Sequence, residues 1–311
     1  MKKNPIEKQK NLKSKIGYNL PLVLLSLPAM IYMFMFNYMP MFGVVIAFKD
    51  YNYVDGIFGS PSAGWDHFKY FFGSNDAQRI ISNTLIYSLL FLILKQALCM
   101  LVAILLYEIT SKVALKTYQT ATLLPNFISW VLVAYIGFAL LSHEQGIFNS
   151  ILKQLGGKTV EWYAETKYWP AILTFFYMWK SVGMGSIMYY AALMSLDVSL
   201  FESATLDGAN RFKQIIYITL PSLVPILSVM IILGIGGIMS GDFGLFFQLP
   251  RNSGPLYPVT DIIATYTYRG LSEGNLSQSS AVGLFQSACG LIMVLLTNTI
   301  IKKVSPENAM F

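Results

Sequence analysis

The chain has 311 residues, 55% hydrophobic and only 12% charged, with a mean hydropathy of +0.53 and a formal net charge of +6. Soluble domains carry about 25% charged residues, so a soluble globular class is excluded, a multi-pass membrane protein is expected, and the positive balance is explained by topology without nucleic acid. Two cysteines, Cys99 and Cys289, lie inside apolar runs, and two histidines, His67 and His143, lie in separate polar loops, which argues against a disulfide framework or a metal site.

Residues 1–19 carry Lys2, Lys3, Lys8, Lys10, Lys13 and Lys15 against one acid, Glu7. The apolar run over 20–36 has no small-x-small cleavage site and is followed by further spans. It is therefore expected to be an uncleaved first helix, continued in broken form to Phe48, and not a signal peptide. Stretches long enough for a crossing of about 20 residues recur at 83–107, 117–141, 169–196, 215–239 and 281–301. The expected architecture is an all-α membrane protein with six transmembrane helices. An even number places both termini on one side. With both inside, the cytoplasmic segments hold twelve Lys and Arg against eight in the longer outside loops, the asymmetry the positive-inside rule requires. This N-in/C-in reading divides the chain into a basic cytoplasmic tail (1–19), a six-span domain (20–303) and a cytoplasmic C-terminal tail (304–311).

Between the spans, residues 49–80 are rich in aromatic residues and glycine and suit a folded turn. Residues 142–167 contain Gly156-Gly157-Lys158-Thr159, which resembles the end of a nucleotide-binding loop. Leu152 stands where that loop needs glycine, and no strand precedes it, so an ATPase motif is not expected in this chain. Residues 240–280 form the longest outside loop. Gly234, Gly236, Gly237 and Gly241 crowd the fifth span, which fits either tight packing within the chain or a seam to a second subunit.

Residues 200–221, LFESATLDGANRFKQIIYITLP, are polar and helix-capable between two apolar spans. Apolar positions recur at Leu200, Ala204, Ala209, Phe212, Ile215 and Ile216 at helical spacing. Asp207-Gly208 breaks the pattern, since glycine costs about 1 kcal/mol inside a helix. Helix, turn, helix is expected, with Glu202 near the first turn. A helix this short is marginal in water and needs something to pack against.

Glu202, Ser203, Ala204, Gly208, Ile218 and Leu220-Pro221 match, at every spacing, the cytoplasmic EAA loop of bacterial ABC-importer permeases, with Ser203 where the family usually has alanine. Asp207-Gly208-Ala209 resembles the binding-protein-dependent sugar permeases of the maltose-like, lipoprotein/polysaccharide-type group. Residues 240–280, AVGLFQS at 281–287 and the terminal Phe311 extend that resemblance. It implies a permease subunit of an ATP-driven importer for carbohydrates, with oligosaccharides foremost, whose coupling loop spans 197–214. Its ATPase contacts would come from Glu202, Ser203, Ala204, Leu206, Asp207, Gly208, Ala209 and Phe212. It also implies a second homologous permease, two cytoplasmic ABC ATPase subunits that hold ATP and Mg, an extracellular solute-binding lipoprotein and surrounding lipid. No catalytic residue, metal or cofactor is expected in this chain.

Two lysines fall within spans, Lys95 and Lys180, each costing roughly 2.5 to 3.5 kcal/mol at a helix centre on insertion scales. Tyr177, Trp179, Tyr189 and Tyr190 surround Lys180 in the sequence, and aromatic rings stack on sugar faces. With Asn83, Asn126, Ser129 and Trp130 they form the candidate substrate path. The competing reading is helix packing and interfacial belts, with lysines satisfying backbone carbonyls between helices. An ion-coupled secondary transporter is the rival function. It would want intramembrane acids, and the central parts of the assigned spans contain none.

Overall fold

A computed structural model describes residues 5–304. Lys2, Lys3, Phe311 and all of the expected C-terminal tail after residue 304 lie outside the described residues. Within them the chain is helical, with one isolated bridge, Lys49 to Ser62, in place of any strand. Helix α1 (Pro5–Met33) continues through a π turn (Phe34–Tyr38) and a 3-10 stretch (Met39–Phe48). The apolar part, Asn19–Phe48, buries none of its most apolar window against the rest of the chain. It is moored at its end, where Ala47 is buried with Phe68 and Ala281.

Helices α2 (Gly56–Gly59) and α3 (Asp66–Gly73) fold the next loop. Its aromatics supply the packing, with Phe48, Trp65 and Phe68 in mutual ring contact at 5.1 to 5.4 Å. Helix α4 (Asn75–Tyr107) then runs 33 residues, capped where the Ala77 N–H donates to the Ser74 hydroxyl. At 1.5 Å per residue it is about 50 Å long. It starts eight residues before the span expected at 83–107, because the Ser74 cap sits in the preceding polar stretch.

The expected continuous span over 117–141 is broken. Helix α5 (Lys112–Phe127) and helix α6 (Trp130–Leu141) meet at 96°. Pro125 sits in the last turn of α5, and Ile128 and Ser129 are extended, Ser129 capping α6 by accepting from the Leu132 N–H. Helix α7 (Ile147–Gln154) lies in the following loop, and helix α8 (Trp169–Met194) returns along α4. A 70° bend leads to helix α9 (Val198–Leu206). Helix α10 (Arg211–Gln214), a π turn (Ile215–Thr219) and helix α11 (Leu220–Gly236) then run on as one 26-residue segment. The loop before the last helix is itself folded into α12 (Phe243–Gln248), α13 (Tyr257–Thr260) and α14 (Ile263–Ser272), and α15 (Leu276–Val304) ends the described chain. Among these residues four helices are long and apolar enough to cross a membrane, or six if each bent pair is one span.

The largest core cluster joins Tyr87 and Phe91 of α4 and Trp169, Leu173 and Phe176 of α8 to Leu245 and Phe246 of α12 and to Leu249 just after it. The loop after α11 is thus packed into the bundle and not laid on it. Helices α5 and α8 approach so closely that a Cβ on Gly183 would sit 1.8 Å from the Thr122 carbonyl oxygen. That neighbour is backbone and cannot swing away. Gly183→Ala is expected to push the two helices apart at a cost of about 1 to 3 kcal/mol, read as a lower thermal midpoint of the purified protein in detergent. An unchanged midpoint would refute the close packing.

Candidate functional site

The polar loop between α8 and α11 is built by three local devices. Asp197 caps α9, accepting from the Ser199 N–H at 3.0 Å, and the Ser199 backbone and side chain hold this carboxyl below the ordinary range. The cap lies early, so Glu202 is the fifth residue of α9 and outside the first turn, where the sequence alone places it. Gly208 then takes φ +78°, and a Cβ there would meet only open space. The turn requires glycine for its backbone angle alone. Asn210 caps α10, accepting from the Lys213 N–H at 2.9 Å.

Gln214, overlooked in the sequence, ties the halves together. It is buried, and its amide donates to the Thr205 hydroxyl at 2.9 Å and to the Ala209 carbonyl at 3.3 Å. A glutamine among the apolar positions Phe212, Ile215 and Ile216 was the available signal. Glu202, Ser203 and Asp207 are exposed, and Ala204 and Ala209 are half-buried. Leu206 and Phe212 face outward, 89% and 69% exposed. The loop rests on the end of α4, where Phe201 lies 6.0 Å from Tyr107 and Arg211 lies 3.9 Å from Glu108. Such an exposed ion pair contributes little, so the mooring is chiefly the aromatic pair.

A cavity of about 660 Å³ opens among α4, α8, α11 and α12, within the usual range for small-molecule sites. Its polar lining is Ser88, Lys95, Gln96, Tyr177 and Asp242. The Tyr177 ring is stacked on Phe91 at 4.2 Å. Asp242, the N-cap of α12, accepts from the Leu245 N–H at 3.0 Å. Burial pushes its carboxyl up, while the Leu245 and Gly244 backbone, the Trp130 side chain and the Lys180 charge pull it down.

Of the expected path residues Tyr177 lines this cavity, and so does Lys95, the other lysine within a span. Lys180 instead donates to the carbonyls of Pro125, Asn126 and Ile128, the groups released where α5 breaks from α6, with its ammonium 5.4 Å from the Trp130 ring centre. Ser129 caps α6. Trp130 packs so tightly on Gly244 that a Cβ there would lie 2.1 Å from the ring. Tyr189 is buried and donates to Gln96 Oε1 at 2.8 Å. Tyr190 is packed beside the same cluster. Trp179 lines a separate groove with Leu98, Val102 and Phe175. Asn83 donates to the Pro258 and Asp261 carbonyls, at 3.2 and 3.0 Å, and holds the folded loop. Of the crowded glycines, Gly234 packs against Leu92 and Gly241 against Ile262.

At the opposite end of α4 from the polar loop lies a second polar centre that the sequence does not reveal. The Asp261 side chain is fully buried and accepts from Arg269 at 2.6 Å, Arg79 at 3.3 Å and the Thr265 hydroxyl at 2.7 Å.

Residues 97–305 match the family described as "Binding-protein-dependent transport system inner membrane component". The chain is similar to the polygalacturonan/rhamnogalacturonan transport system permease protein YteP of Bacillus subtilis (strain 168), 35% identical over 303 residues, covering 97% of this chain and 94% of the relative. It is 34% identical over 288 residues to Protein LplB of the same organism, covering 92% and 90%. The fold matches a chain in the crystal structure of a bacterial ABC transporter involved in the import of the acidic polysaccharide alginate, with a TM-score of 0.86 at 33% identity, covering 95% of this chain and 99% of that one.

The two intramembrane lysines are therefore expected to behave differently when replaced. Lys180→Met strands carbonyls at a break inside the apolar layer, and a polar group left unsatisfied away from water costs about 1 to 3 kcal/mol. Its thermal midpoint in detergent should fall clearly, while that of Lys95→Met should not. Equal midpoints for both variants would contradict the assignment.

Proposed function

The chain belongs to the family of binding-protein-dependent transport system inner membrane components, and we propose that it is the permease subunit of an ATP-driven importer of oligosaccharides. It is a multi-pass protein of the bacterial plasma membrane, and it is not itself an enzyme. The bent pair α5 and α6 counts as one crossing and α8 alone as another, which makes six, with both termini in the cytoplasm. The loop over 197–214 then faces the cytoplasm and docks in a groove on an ABC ATPase subunit.

The observation that carries this reading is the loop's construction. Its two short helices are capped and tied to each other by Gln214, yet Leu206 and Phe212 stand exposed among the described residues. Exposed apolar side chains on a rigid, preorganised element suit a protein partner. Glu202, Ser203 and Asp207 supply its polar rim, and the half-buried Ala204 and Ala209 let a groove close over it.

The complex has two permease subunits, this one and a homologous second chain, each forming half of the translocation path. Two ATPase subunits hold ATP and Mg, and an extracellular lipoprotein delivers the sugar. The cavity around Tyr177 is this subunit's share of the path. Moving a path from 1:99 to 99:1 between its two openings requires about 5.5 kcal/mol of differential binding. No contact at Glu202 reaches that figure alone, so ATP-driven closure of the ATPases generates the bias and the loop transmits it. Asp242 is half-buried and accepts hydrogen bonds from its own chain, which explains this acid without ion coupling.

Gly208→Asp, at a φ of +78°, should tilt α9 against α10 and uncouple the complex. Reconstituted in lipid, the wild-type complex should hydrolyse ATP faster with sugar-loaded binding protein, and the variant should lose most of that stimulation while still assembling. Stimulation unchanged in the variant would rule out coupling through this loop.

A further inference from the structure

The two intramembrane lysines have opposite surroundings. Lys180 is satisfied by three backbone carbonyls of its own chain. Lys95, in the middle third of α4, lines the cavity, and among the described residues its ammonium has neither a hydrogen bond nor an ion-pair partner. The one carboxyl in the same lining, Asp242, is already engaged by the Leu245 N–H and lies in the fields of Trp130 and Lys180. Gln96, one residue on, gives its oxygen to Tyr189. The cavity therefore contains one cation that its own walls do not neutralise.

An ammonium held inside an apolar layer normally faces a wet cavity or an opposite charge. The remaining lining favours sugar over other anions: Tyr177 is held as a flat aromatic face by its stacking on Phe91, while Ser88 and Gln96 offer hydroxyl- and amide-type partners. Resting on the permease reading above, we propose that Lys95 is a specificity-determining residue that selects carboxylated oligosaccharides, chains containing uronic acid units, by pairing with a carboxylate of the passing sugar. The stacked ring accepts the apolar sugar face and the ammonium reads the charge. Lysine suits this task, since a single flexible point charge can follow successive carboxylates along a moving chain, where a bidentate guanidinium would hold one.

The test uses the complete complex in proteoliposomes, with tetrasaccharides of galacturonate and of mannuronate and the carboxyl-reduced, neutral form of each. Initial uptake is compared for wild type, Lys95→Gln and Lys95→Arg. Because every variant meets the same binding protein, a change in the acid-to-neutral ratio reports the permease alone. A hydrogen bond to a charged group corresponds to about 10- to 100-fold in discrimination. Lys95→Gln should lower the ratio by that factor through loss of acidic uptake, and Lys95→Arg should largely keep it.

A ratio unchanged in Lys95→Gln overturns the proposal, as does a wild type that takes up no acidic probe. If Lys95→Gln fails to assemble with the second permease while Lys95→Arg assembles, the ammonium pairs with a carboxylate of that subunit and the proposal also falls. Uptake indifferent to ATP in wild type would count against the permease reading itself, and leaves the Lys95 ratio to be judged separately.

Discussion

Inside an apolar layer every backbone N–H and C=O must find its partner within the protein, and the break between α5 and α6 is where this chain meets that constraint most sharply. Pro125 and the extended pair after it release carbonyls at a 96° corner. The Lys180 ammonium gathers three of them. With the corner fixed, Trp130 at the start of α6 seats against Gly244, and α12 can enter the core between α4 and α8. The cavity is the space left beside that insertion. Its shape thus depends on a lysine that does not line it.

The same constraint separates structural from functional polarity. Tyr189, Asn83 and Lys180 are each answered within the chain by a carbonyl or amide oxygen. Buried polar groups are ordinarily satisfied in this way. Among the groups left without such an answer are Leu206 and Phe212 at one end, Lys95 in the cavity, and the long apolar flank of α1. These are the places where a complex, a solute or lipid must complete the structure.

How much was legible in the sequence follows from which forces are local. Hydropathy locates the apolar segments, because burial in lipid acts on composition. The loop over 197–214 was legible as helix, turn, helix since Asp207-Gly208 and the apolar spacing are read within one turn. Capping shifted the details: Asp197 starts α9 early and moves Glu202 to mid-helix. The corner after Pro125 was not read, although a proline near the end of an apolar run, followed by Ser129, was a usable sign. The expected path residues do not converge on one cavity. Aromatics clustered along one helix point in all directions around it, so Tyr177 reaches the cavity while Trp179 lies in another groove and Tyr189 is in the core. The Asp261 centre was illegible because its members converge only through the tertiary fold.

That centre sets an order of assembly. Arg79 and Asp261 are 182 residues apart in the chain, and a carboxylate with no exposure is stable only once its cations stand beside it. During synthesis α4 emerges first and leaves Arg79 waiting in water beside Asp76. Asp261 arrives with the last third of the chain, with Arg269 eight residues behind it, and Thr84 accepts the Ile263 N–H as α14 settles. The folded loop is tied to α4 through this meeting and through the Asn83 amide. A chain cut short before Arg269 would carry Asp261 with the nearer of its two guanidinium partners missing.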